Sequence, residues 1–215
     1  MSRRTSRRPC LPARAWPAGR HTSSSRSRQG ACSGPRTATS APSRARCPLS
    51  DLASAAAEAA SLAEQGSERE LAELRTKWQD ELEGAARSPD YRERAVAYRA
   101  IGQFRYRQKA ELLRRGLDDE SPACRGSALI SLESLSREHP GLVNSVRPLL
   151  HELASHDDNQ AVRRLAVFCL NNGSPQRETI LILGTIADDD EQDRELRAAA
   201  RKVGEQLRKK AAVRR

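Results

Sequence analysis

Four segments of this chain fall into one register: YRERAVAYRAI (91–101), PACRGSALISL (122–132), QAVRRLAVFCL (160–170) and DRELRAAARKVG (193–204). Each carries an arginine at the same place, Arg94, Arg125, Arg163 and Arg197. Three residues on stands alanine: Ala97, Ala128, Ala166 and Ala200. Seven on stand Ile101, Leu132 and Leu170, with Gly204 in the last copy. Six before the arginines stand Ser88, Asp119, Asp157 and Glu191. A self-similar period of this length means a row of supersecondary units, none able to bury its apolar face alone.

Each element of the pattern has a physical use. Alanine at a helix crossing lets two axes approach, and the large apolar residue one turn on fills the space beside it. An acid closing one unit can meet an arginine in the first turn of the next. This expectation pairs Asp119 with Arg125, Asp157 with Arg163 and Glu191 with Arg197. As part-exposed ion pairs they would each contribute only about 0.3–1 kcal/mol and act on register more than on stability.

A second set of segments repeats between the first. AELLRRGLDD (110–119), VRPLLHELASHDD (146–158) and TILILGTIADDD (179–190) all end in an acidic turn. Apolar residues keep helical spacing throughout, with no strand-like alternation. The spacing predicts helices at about 89–103, 106–117, 122–136, 141–154, 160–171, 175–187 and 192–210.

The combined pattern, acid-x5-Arg-xx-Ala-xxx-Leu, resembles the HEAT repeat in its short, HEAT-like form, over about residues 89–204. The resemblance implies an all-α, right-handed α-α superhelix of about three and a half helix pairs. Ser88 in place of the acid, Glu93 before Arg94 and Gly204 for leucine depart from the pattern at the two ends, where terminal units face solvent.

Charge divides the chain. Residues 1–50 hold eleven arginines and no acid, while the remainder holds 27 basic against 28 acidic side chains. The net charge of +10 is therefore no argument that the body binds nucleic acid. Residues 1–50 lack Val, Ile, Phe and Tyr and are expected to be a disordered Arg/Ser/Pro-rich tail. They read as an anion-binding arm, a transit peptide, or sequence upstream of the true start. Residues 51–88 read as a helical N-terminal extension, with Ser67 and Glu70 forming a capping box. Leu71, Leu74, Trp78 and Leu82 share a face there, as a coiled-coil seam or as a helix folding back over the open end of the stack. Two heptads are too few to specify the coiled coil. Residues 205–215 form a basic tail, serving either anion binding or the negative end of a helix dipole.

Catalytic patterns are missing from the sequence. Its five cysteines include no CxxC pair, and an odd count without a secretory signal points to the reducing cytoplasm. Cys124 and Cys169 fall in helical patterns and read as buried thiols. His151 and His156 are five apart and point away from each other on a helix, as a solvated helix end rather than a metal site. No phosphate-cradling glycine motif occurs, and no cofactor or metal is expected. No apolar run is long enough to span a membrane.

These readings favour a non-catalytic protein–protein scaffold or adaptor with no cofactor. The resemblance also implies an alternative, a bilin-lyase-like or chaperone-like enzyme. Nucleic-acid association through the basic ends is not favoured. Aligning Leu113 with Leu149 and Ile182 turns Leu117, Leu153 and Ile186 inward as well. It places Arg115, Arg147, His151 and Ile180 on the outer face of the second helices, as the expected partner-binding set.

Overall fold

A computed structural model describes residues 48–213; the N-terminal arm expected over residues 1–50 lies almost wholly outside them. The described residues form eleven α-helices and no strand. They are α1 (Pro48–Gln65), α2 (Glu68–Lys77), α3 (Gln79–Ala86), α4 (Tyr91–Gln103), α5 (Ala110–Leu117), α6 (Pro122–Ser136), α7 (Gly141–Ser145), α8 (Arg147–His156), α9 (Gln160–Asn172), α10 (Arg177–Asp188) and α11 (Arg194–Val213). A 3-10 turn, Arg107–Lys109, leads into α5.

The row is built by alternation. α4, α6, α9 and α11 pack side by side as a first layer, while α5, α8 and α10 each lie against the first-layer helix that follows. The N-terminal helices continue the row: α1 packs along α4, and α3 against α4. Leu71 and Leu82 are fully buried in the common core, with Leu74 and Trp78 partly buried against it. This face is used within the chain, as a helix folding back over the stack would use it. The helix breaks at Trp78 into α2 and α3.

Local chemistry sets the ends. Asn159 accepts from the N–H groups of Ala161 and Val162, and Asp90 from that of Arg92, as helix N-caps do. Ser121 precedes Pro122, a first-turn proline. The helix expected over 141–154 is two helices, because Pro148 has no N–H to continue the ladder and the chain breaks at Val146. The capping box is not formed: Ser67 makes no side-chain cap, and Gly66 with φ 75° closes α1 instead.

The repeated alanines lie in the core, and Ala128 faces α5, where a Cβ added at Gly116 would stand 2.9 Å from its own. Ala97, Ala128, Ala166 and Ala200 are all completely buried. The tightest approach is at Gly102, where an added Cβ would stand 2.7 Å from the Ser131 Cα. Ser131 donates there to the carbonyls of Tyr98 (2.7 Å) and Arg99 (3.2 Å). Cys124 and Cys169 are buried free thiols, and burial pushes both thiol pKa values up.

Candidate protein-binding surface

The repeated arginines form a staircase, but one step ahead of the expected pairing. Arg94 donates through Nη1 to the carbonyls of Ser88 (3.1 Å) and Pro89 (3.0 Å). Its Nε and Nη2 bind Asp119 of the following turn, at 2.7 and 2.9 Å. Arg125 repeats this one unit on: Nη1 to the Asp119 and Glu120 carbonyls, then a two-point pair with Asp157 at 2.6 and 2.9 Å. The acid six residues before each arginine thus offers its backbone, and the acid of the next unit its carboxylate. A carboxylate six residues back is already turned to its own helix start: Asp119 accepts from the Ser121 N–H, and Asp157 from that of Asn159.

The staircase changes at its C-terminal end. Arg163 donates to the Asp157 carbonyl (2.5 Å) and to Gln192 Oε1 (2.7 Å). Gln192 donates in turn to Asp189 at 2.9 Å. Asp189, accepting from the N–H of Glu191, holds the place of Asp119 and Asp157. Glu191 itself is exposed, and Arg197 pairs instead with Asp190. Charges follow the geometry. Burial raises the Asp119 carboxyl pKa, but the Arg94 guanidinium and the Ser121 N–H outweigh it and hold it below its ordinary value. The hydrogen bond to Asp157 raises the Arg125 pKa.

The expected partner-binding set does not form one surface. Arg115 is exposed on α5 and Ile180 packs partly buried against the core. Arg147 is only 4% exposed and His151 9%. Arg147 donates to the Ser174 carbonyl (2.9 Å), Ser174 Oγ (2.9 Å), Thr179 Oγ1 (3.0 Å) and Asn144, and Thr179 Oγ1 also meets His151 Nε2 at 2.9 Å. Burial lowers the pKa of both Arg147 and His151. His151 is therefore no part of a solvated helix end. The cause is a one-residue slip in the second helices. The most deeply buried positions are Leu113, Leu150 and Leu183, with Leu117, Ala154 and Ala187 one turn on and Leu153 and Ile186 buried beside them. Leu149 and Ile182, taken as partners of Leu113, sit at the half-buried edge. One residue is about 100° of helix rotation, enough to turn Arg147 inward. The surplus apolar side chain of α10 is Leu181, 60% exposed, rather than Ile180.

The apolar surface lies on the first layer instead. Ile130 on α6 is 37% exposed and Phe168 on α9 45% exposed. Both stand five residues after a repeated arginine, in a column with Arg99 and Lys202. Beside this column run two grooves that meet at Arg99. One, of about 180 Å³, lies between α1, α4 and α6 and is lined by Ala60, Ala63, Ile130 and Ser134. The other, of about 330 Å³, is lined by Ala53, Ala56, Ala95, Val96 and Ser127. Counting five from each repeated arginine would have found the column in the sequence. Among the described residues, no three His, Cys, Asp or Glu side chains gather as a metal site.

Residues 79–171 match the family model for HEAT repeats, which begins at Gln79, ahead of Pro89. Over those residues the chain is similar to HEAT repeats. One solved structure with the same HEAT-like fold is the complex of CpcE and CpcF of phycocyanin lyase from Nostoc sp. PCC7120. It matches with a TM-score of 0.51 at 18% identity, over 72% of this chain and 96% of that one. No curated protein matches the chain in sequence. No helix of the described HEAT-like stack is long and apolar enough to cross a membrane.

Proposed function

We propose that this HEAT-like stack is a protein-binding module whose partner docks on the first-layer face. The observation that carries the reading is the pair Ile130 and Phe168, exposed on adjacent helices, with an alanine-lined groove bordering Ile130. Two large apolar side chains held in one column, with Arg99 and Lys202 at its ends, have the composition of an interface anchor with a polar rim. The rigid arginine staircase keeps α6 and α9 at a fixed spacing, so ordering this face for a partner costs little. Two buried thiols accord with a reducing compartment, and we assign the module to the cytoplasm.

A second reading, an enzyme of the bilin-lyase kind, is favoured by the likeness to phycocyanin lyase, which is a likeness of fold. One experiment separates the two. A photo-crosslinking residue at position 168 of the full chain, expressed in its host, is expected to capture one protein, and Ile130→Glu to abolish capture at an unchanged melting temperature. A bilin-bearing protein as the captured species would favour the second reading. Undiminished capture by the Ile130→Glu protein would overturn the first.

A further inference from the structure

The two long edges of the stack differ in chemistry. Where second-layer helices return to the first layer, the turns are acidic: 118–120, 157–158 and 188–191. Where first-layer helices end, acids are scarce: the turn after α4 carries Arg105, Arg107 and Lys109, that after α6 Arg137 and His139 beside Glu138, and that after α9, 173–176, no charge, with Lys209 and Lys210 of α11 alongside it. Two grooves run along that second edge. The first, of about 600 Å³, is lined by Arg75, Arg105, Arg107, Arg137 and His139, against Glu68 and Glu138. The second, of about 680 Å³, is lined by Lys209 and Lys210 with the Asn144 and Asn172 amides and Ser174. His139 lines the first groove and Pro140, the next residue, the second, so the two are neighbours along this edge and make a track of two grooves.

A helix C-terminus favours a cation nearby, and that alone accounts for part of this charge. Two features exceed it. Arg105 has φ 49°, the left-handed conformation that follows a helix end and that glycine occupies without cost. The chain holds a long cationic side chain where a smaller residue would relax the backbone, and backbone strain of this kind gathers at functional positions. Beneath the second groove lies Arg147, 96% buried by its 4% exposure, with its Nε unpartnered and its other hydrogen bonds made to neutral groups. No carboxylate hydrogen-bonds this buried guanidinium, on which the Glu178 charge acts only from a distance, and it leaves positive potential at the groove floor. Among the described residues, no acidic side chain pairs with Arg107.

We propose that this basic track binds an acidic, extended segment of a partner protein. The inference rests on the reading that the module's partner is a protein; neither Ile130 nor Phe168 lines the track, although Arg105 also borders the groove beside Ile130. A polypeptide suits the track better than nucleic acid, since its aromatic neighbour Tyr106 is part-buried and donates to Gln79 at 2.7 Å rather than standing free to stack on a base.

The test is fluorescence anisotropy of a labelled oligoglutamate with the full chain, beside an oligonucleotide of matched charge. The arginines of residues 1–50 are common to every variant, so differences between variants report the track. Arg107→Glu with Lys209→Glu is expected to weaken oligoglutamate at least about tenfold at low salt. Arg114→Glu with Arg115→Glu makes the same charge change on α5 and is expected to leave affinity within about twofold. Arg105→Gly is expected to raise the melting temperature while weakening binding. Equal losses in the two double variants, or tighter track-dependent binding of the oligonucleotide, would overturn the proposal. Phe168→Glu is expected to leave oligoglutamate binding intact. Loss of the track with position-168 capture retained removes this inference alone; the converse removes the first-layer reading alone.

Discussion

Two steps of the arginine staircase differ in a single substitution of partner. At Arg125 the guanidinium meets Asp157 in a two-point pair whose side chains are 15% and 2% exposed. At Arg163 the same group meets a neutral amide, Gln192, which passes the contact to Asp189. The difference traces to length. Asp119 and Asp157 stand two residues before the cap of the next helix, at Ser121 and Asn159, whereas Asp189 stands four before Asp193, which accepts from the N–H groups of Glu195 and Leu196. The longer turn leaves the carboxylate to be reached through Gln192. The repeat thus keeps its connections when its charges cannot meet directly, which places the register in the backbone carbonyl contacts and the buried alanines as much as in the ion pairs.

The largest effect should come from breaking the charged step. Asp157→Ala strands a mostly buried guanidinium and the Asn159 N–H, and is expected to cost about 3 kcal/mol in urea unfolding. A loss below about 1 kcal/mol would show that the Arg125 pair holds nothing the carbonyl contacts do not. Gln192→Ala removes the neutral link and is expected to cost about 1 kcal/mol; a cost equal to that of Asp157→Ala would erase the distinction between the steps. The finest contrast is in pH. Asp119 has a folded pKa below its ordinary 3.8, so its contribution is complete above that value and is lost as pH falls through the depressed one. Acid-unfolding series are therefore expected to lose part of their slope in Asp119→Asn, and a smaller part in Gln192→Ala, because the hydrogen bond from Gln192 is the main cause that holds the Asp189 carboxyl below its ordinary value.

Much of the fold was legible because arginine, alanine and leucine recur at fixed offsets, and one copy corrects another. Helix boundaries from Tyr91 onward follow the spacing closely, apart from the break at Val146. The second helices were less legible for a stated reason. Leu112-Leu113, Leu149-Leu150 and Ile182-Leu183 are apolar pairs, and either member can be turned inward on pattern alone. Choosing the wrong member moved Arg147 and His151 from the core to the surface. The direction of the ion pairs was illegible too, since an arginine between two acids can reach either way. The first-layer column of Ile130 and Phe168 was present in the register but hidden by its neighbours Arg99 and Lys202, which make it look like an ordinary solvated face.

The one-unit stagger of the staircase bears on how such a chain grows. Every complete unit supplies both a donor for the turn ahead and an acceptor for the turn behind. A tandem copy inserted between α6 and α9 would meet its neighbours with matching groups on both sides, without any compensating change elsewhere. Duplication of a unit would preserve every contact of the pattern, and the glutamine beside Arg163 marks where that pattern changes.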